Sequence, residues 1–215
     1  MTTYYKVLVN GRSCNGGDAE WALPKQREDG TWEPGDWMPE IQGQLMLCVN
    51  GYHLTTDPAR WWQDGAECYV AEWDGEHVGD GDGGDTIAVR RCRLLRKLSN
   101  GELAALRIFA DGRHVVTGGF AVAYGSAMVE ASGSATVKAY GSAMVEASGS
   151  AMVEASGSAT VKASGSATVK AYGSAMVEAS GSAMVEASGS ATVKASDSAT
   201  VTTVWGQPTV TVEER

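Results

Sequence analysis

From Ala123 to Thr202 small apolar residues alternate with polar ones, and the alternation itself recurs every eight residues. Ten octads follow the pattern Ala-[Tyr/Ser]-Gly-Ser-Ala-[Met/Thr]-Val-[Glu/Lys], the last with Asp197 in place of Gly and Thr202 in place of the final charge. Ala135, Val137 and Ala139 share one side of the chain; Thr136, Lys138 and Tyr140 share the other. That is a short strand with an apolar and a polar face. The Gly-Ser before it is turn chemistry, Gly supplying the positive φ that a corner needs. One such strand cannot bury its own apolar face, so the copies must stack. Gly and Ser in every octad, with Val or Thr beside them, weaken any helix. A disordered Gly/Ser linker would lack the regularly placed Val. The pattern predicts a β-solenoid with a thin core of Ala and Val.

The outward charges set the length of a coil. Position eight of the octads reads Glu130, Lys138, Glu146, Glu154, Lys162, Lys170, Glu178, Glu186, Lys194 and Thr202. If two octads make a coil, Lys138, Glu154, Lys170 and Glu186 form one alternating ladder. The other ladder alternates except at the step from Glu130 to Glu146. Three octads per coil would stack mostly like charges, which destabilise neighbouring strands by roughly 0.2–1 kcal/mol each. The coil is therefore expected to have sixteen residues, with five coils in the array. Tyr124, Tyr140 and Tyr172 then fall in register on one half-coil, beside Met128, Met144 and Met176.

Ala-Tyr-Gly-Ser-Ala in a sixteen-residue double repeat resembles the repeat of bacterial ice-nucleation proteins. Those are β-solenoids with an Ala-Gly-Tyr-Gly-Ser-Thr-x-Thr pattern and a tyrosine ladder. The resemblance spans residues 123–202 and implies the solenoid fold. Ala-Met-Val or Ala-Thr-Val stands here where that family carries its water-ordering Thr-x-Thr.

Residues 1–118 read differently. Six of the seven Trp lie there, the exception being Trp205, so a separate domain with an aromatic core is expected. Strands are predicted at 4–9, 45–49, 67–73 and 86–95, and a helix start at Asp57-Pro58. Asp111-Gly112 between two apolar runs predicts a hairpin. The fold expected is mainly β: a small α+β domain over 1–118, a solenoid over 119–202, and a C-terminal cap over 203–215. Trp205 and Pro208 are the candidate cap residues, since an open solenoid end is an unpaired edge. The runs Cys48-Val49-Asn50-Gly51-Tyr52-His53-Leu54, Trp61-Trp62, Tyr69-Val70-Ala71-Glu72 and Val89-Arg90-Arg91-Cys92-Arg93-Leu94-Leu95 resemble an uncharacterised domain of phage and actinobacterial proteins. That resemblance implies a phage or prophage setting and carries no activity with it.

Net charge is −9, the first 118 residues carry −6 of it, and nothing basic invites nucleic acid. No segment has the apolar length of a membrane span, and the first residues lack a secretion pattern, so the cytoplasm is expected. The cysteines Cys14, Cys48, Cys68 and Cys92 share no metal-knuckle spacing. Asp80, Asp82 and Asp85 alternate as in a calcium loop but lack its closing Glu. His53 and Glu72 are the candidate acid–base pair; a His followed by strands ending in Glu is similar to ADP-ribosyltransferase-type folds. No cofactor is expected. The leading expectation is a non-enzymatic spacer or docking rod, self-associating through its Tyr/Met face or its ends, whose head recruits a protein partner. A ligand-binding or enzymatic head tethered to the rod is the second expectation, and a water-binding or ice-binding array the third.

Overall fold

The computed structural model describes residues 2–14, 17, 19–79 and 84–213. The chain divides into two compact units, Met1–Leu106 and Arg107–Arg215. The sequence pattern puts the boundary twelve residues later, because the first coil of the solenoid does not carry the octad.

The first unit is a small antiparallel barrel. Its strands are β1 (Tyr4–Val9), β2 (Arg12–Ser13), β3 (Lys25–Gln26), β4 (Trp32–Glu33), β5 (Tyr52–Thr55), β6 (Ala66–Gly79) and β7 (Thr86–Lys97). The main sheet runs β2-β1-β5-β7-β6, and β6 closes back onto β1 from Tyr4↔Ala71 to Val9↔Ala66. Closure removes the free edges of β1 and β6. Beyond the reach of β5, the edge of β7 is covered by backbone bonds from Gly35, Met38 and Ile41. Inside lie Leu8, Trp21, Met38, Tyr52, Leu54, Tyr69, Ile87, Val89 and Leu94.

Helix is scarce in this unit. Pro58–Trp61 is a single 3-10 turn, and Asp57 makes no side-chain cap bond to it. A helix at α1 (Asn100–Ala105) opens with a Ser99/Glu102 capping box. Residues 45–49 are not a strand. Met46 and Asn50 bridge a turn, Cys48 takes a φ of 61°, and the Asn50 amide donates to the carbonyls of Gln42 and Gln44. That local capture of backbone acceptors competes with strand pairing.

The second unit is a parallel β-solenoid of about seven turns with coils of about sixteen residues. Its strands are β8 (Ile108–Phe109), β9 (Arg113–Ala123), β10 (Met128–Ala139), and then β11 to β19 (Met144–Ala147, Met152–Ala155, Thr160–Ala163, Thr168–Ala171, Met176–Ala179, Met184–Gly189, Thr192–Ser196, Thr200–Gly206, Thr209–Glu213). Strands sixteen residues apart pair in parallel, as in Val145↔Val161 and Val153↔Val169. One face stacks the first half of β9, the first half of β10, then β11, β13, β15, β17 and β19. The other stacks β8, the second halves of β9 and β10, then β12, β14, β16 and β18. At roughly 4.8 Å per strand each face is about 29 Å long.

The solenoid runs beyond the octad array at both ends. Before the array come β8 and β9, so Asp111-Gly112 does not close a hairpin: Ile108 and Phe109 pair in parallel with Val122 and Ala123. The Asp-Gly turn is a solenoid corner instead. After it, β18 runs on from the tenth octad and β19 adds a strand to the opposite face.

The interior is what the alternation predicts. Ala127, Val129 and Ala131, and their equivalents through Ala191, Val193 and Ala195, are buried. The corner glycines form a ladder of their own. Gly157 has a φ of 69°, and a Cβ there would lie 3.1 Å from the Gly141 nitrogen one coil below. Asp197 takes the same left-handed conformation, φ 57°, and its Oδ2 accepts from the Gly181 N–H at 3.2 Å.

Candidate functional site

Two places carry chemistry: the outer surface of the solenoid, and a cavity inside the barrel.

On the solenoid the expected charge ladder is in register. Lys138 pairs with Glu154, Glu154 with Lys170, and Lys170 with Glu186. Lys138–Glu154 and Lys170–Glu186 are ion pairs at 3.8 Å. These are exposed pairs, each contributing a few tenths of a kcal/mol, about 0.2–1. On the other face Glu130 lies beside Glu146, the one like-charge step, and Arg113 from the coil before forms an ion pair with Glu130. A shallow groove of about 660 Å³ follows this face, lined by Glu146, Lys162, Glu178 and Lys194 and by the Ser148 and Ser164 row beside them.

Met128, Met144 and Met176 stand on that same face, 41, 45 and 50 % exposed. Thr160 separates Met144 from Met176 in the stack. Tyr124, Tyr140 and Tyr172 occupy the corner leading into the face; the Tyr140 N–H donates to Ala123 O and the Tyr172 N–H to Ala155 O. The first two are half-buried and Tyr172 is exposed. Trp205 lies in β18 with 61 % exposure, and Pro208 sits in the corner before β19. Val210 and Val212 take the places that Val193 and Ala195 hold one coil earlier, yet Val212 is 65 % exposed.

In the barrel, His53 and Glu72 are not brought together. They sit on β5 and β6, and β7 runs between those strands. The His53 Nε2 accepts the Cys48 N–H at 2.7 Å. Burial, and after it the nearby Lys6 charge, hold the His53 pKa below its usual value. Glu72 is held by Arg93 at 2.6 Å. Asp80 and Asp82 lie outside the described residues. Asp85 meets Arg60 at 3.3 Å and accepts from the Thr86 hydroxyl. Among the described residues no cluster of His, Cys, Asp or Glu could hold a metal ion.

A cavity of about 370 Å³ opens between β1, β5 and the 3-10 turn, and His53 is on its wall. So is Lys6, whose side chain is almost completely enclosed. The ammonium donates to the His53 carbonyl at 3.1 Å and lies 4.7 Å from the centre of the Trp21 ring. Burial pulls its pKa down to about 8, offset in part by Cys14 and Cys92. Cys14 directs its thiol at the Trp61 carbonyl, 3.3 Å away, and burial pushes its pKa up. Trp61, also on the wall, has an indole Nε1 that is buried with no hydrogen-bond partner among the described residues.

Lys6 was not among the residues singled out from the sequence. A signal existed: in Tyr-Tyr-Lys-Val-Leu-Val it shares parity with Leu8, so a strand that points Leu8 into the core points Lys6 there too.

Comparison with protein-family models, with curated proteins and with solved structures returned no match.

Proposed function

We propose that this chain is a non-enzymatic structural protein: a β-solenoid rod that pairs with a second copy of itself, while its barrel recruits a further partner. Support comes from one observation, the self-complementarity of the face carrying β10, β11, β13, β15 and β17. Take two copies lying antiparallel about a two-fold axis. When Lys162 of one faces Glu178 of the other, Glu146 faces Lys194. Each contact occurs twice under the symmetry. Met144 then meets Thr192 and Met176 meets Thr160, a long side chain against a short one. A slip of one coil either way sets Lys162 against Lys162 or Glu178 against Glu178. The tyrosine corner at Tyr124, Tyr140 and Tyr172 adds aromatic surface beside the methionines, the composition that protein contacts favour. Kinship of the barrel with the phage and actinobacterial domain, a phage or prophage setting and a cytoplasmic location belong to the same proposal.

Sedimentation equilibrium at low salt tests it. The wild-type chain is expected to dimerise. Glu146→Lys alone and Lys194→Glu alone each turn two opposite pairs into like pairs. At about 0.2–1 kcal/mol per exposed pair this weakens the dimer roughly tenfold. The double variant restores it. Dimers indifferent to both single reversals would refute this register, and a monomer at every concentration would refute self-association.

A further inference from the structure

We propose that the barrel cavity binds a small organic carboxylate with a ring-sized apolar body, its negative charge held by the Lys6 ammonium. Lys6 is 7 % exposed and lines the cavity, so its charge is largely withdrawn from solvent. A charge buried in that way is costly unless an opposite charge meets it. Among the described residues no Asp or Glu lines the cavity. The ammonium has three donors. One is taken by the His53 carbonyl, and the face of Trp21 stabilises the cation from another side. The remaining donors point to an acceptor that none of the described residues supplies.

Several other polar groups on the wall are already engaged. The Asn50 amide is spent on the carbonyls of Gln42 and Gln44, the His53 Nε2 on the Cys48 N–H, and the Cys14 thiol on the Trp61 carbonyl. Lys6 is thus the cationic feature around which a ligand would orient. The body of that ligand is set by the rest of the wall, which includes the aromatic and branched aliphatic residues Tyr5, Trp21, Ile41, Tyr52, Leu54 and Trp61. The volume lies near the lower end of small-molecule pockets, which run from about 300 to 1,000 Å³, enough for one ring and a short side arm. Trp61 Nε1, without a partner among the described residues, is a second donor on a wall residue, though it is closed off from water. A ligand that shifts the Trp61 ring would give it an acceptor.

The test compares benzoate with its neutral isostere benzamide on the full chain at pH 7, by titration calorimetry and by tryptophan fluorescence. Benzoate is expected to bind with a Kd at or below about 1 mM, at least tenfold tighter than benzamide. Lys6→Met should remove that preference while near-ultraviolet circular dichroism shows the barrel intact. If Lys6→Met does not fold, the wild-type protein still decides: the preference for benzoate should shrink at pH 9.5, where Lys6 has lost its proton. No benzoate binding, equal binding of the two probes, or a preference that survives Lys6→Met or pH 9.5 would overturn the proposal.

Discussion

Removing the buried charge at Lys6 should change how the barrel's stability depends on pH. Burial lowers the pKa of this lysine from 10.5 to about 8. Because the folded value lies below the unfolded one, the folded state is penalised wherever the group is protonated in both. The penalty is whole below about pH 8 and relieved as pH rises toward 10.5. One pKa unit corresponds to about 1.4 kcal/mol, so the full shift amounts to about 3 kcal/mol. By linkage roughly 1 kcal/mol of it returns between pH 7 and 9, and most of the rest by about pH 10.5. Lys6→Met abolishes the proton equilibrium while keeping an unbranched apolar stem in the site. It also removes the bond to the His53 carbonyl and the contact with Trp21, so the absolute offset between the two proteins mixes gain and loss. The pH slope of the difference does not.

The measurement is urea unfolding of both proteins from pH 6.5 to 10, followed by tryptophan emission, which reports chiefly on the barrel because six of the seven Trp lie there. The groups whose charges act on Lys6 are Cys14, Cys92 and His53. His53 titrates below the window, and the raised cysteines titrate above their usual value. Tyrosine and cysteine titrations are common to both proteins and largely cancel in the difference. Wild type should gain about 1 kcal/mol on the variant from pH 7 to 9. Parallel curves over that range would show that the ammonium is solvated, and the counter-ion argument for the cavity would fail with it.

Two further predictions concern the solenoid. Gly157→Ala puts a side chain where φ is 69° and the Gly141 nitrogen would be 3.1 Å away; it should cost about 1–2 kcal/mol, seen as a lower thermal midpoint, and an unchanged midpoint would mean the corner yields. Deleting one coil, Ala147–Lys162, stacks Lys138 under Lys170 and Glu146 under Glu178, whereas deleting two, Ala147–Glu178, stacks Lys138 under Glu186 and Glu146 under Lys194. The two-coil deletion should therefore lose ground to the one-coil deletion as salt rises, by about 1 kcal/mol for two pairs; a gap independent of salt would count against the ladder.

The solenoid's register was legible because every octad repeats the same inward Ala and Val residues while the sign of its last residue varies. Lys138 over Glu154 follows from counting. The strands before the array were harder to read for the opposite reason. Val116 and Ala121 are buried like octad residues, but no exact period marks them, and Asp111-Gly112 serves a corner as well as a hairpin. In the barrel, strand runs with strong alternation were readable at 4–9, 67–73 and 86–95. Leu45 is buried as an apolar run suggests, yet the run turns after it, because the Asn50 side chain binds the loop. That β7 separates His53 from Glu72 is a fact of strand order, which depends on contacts remote in sequence and leaves no local mark.

A rod of identical coils has a difficulty that bears on what it does. Whatever binds one coil binds the next equally well, so register has to come from breaks in the repetition. On the face of β12, β14 and β16 the charges alternate without a fault from Lys138 to Glu186. A second copy could slide there by two coils and still find only opposite partners. The other face has the fault at Glu130–Glu146. A two-coil slip toward the N-terminal coils keeps Glu146 against Lys162 but sets Glu130 against Glu178; a slip the other way leaves only Glu178 against Lys194. The same face carries the paired methionines Met128 and Met144, where the other alternates Thr and Met strictly. Irregularity of charge and of side-chain length therefore falls on one side of the rod, and a specific interface needs both.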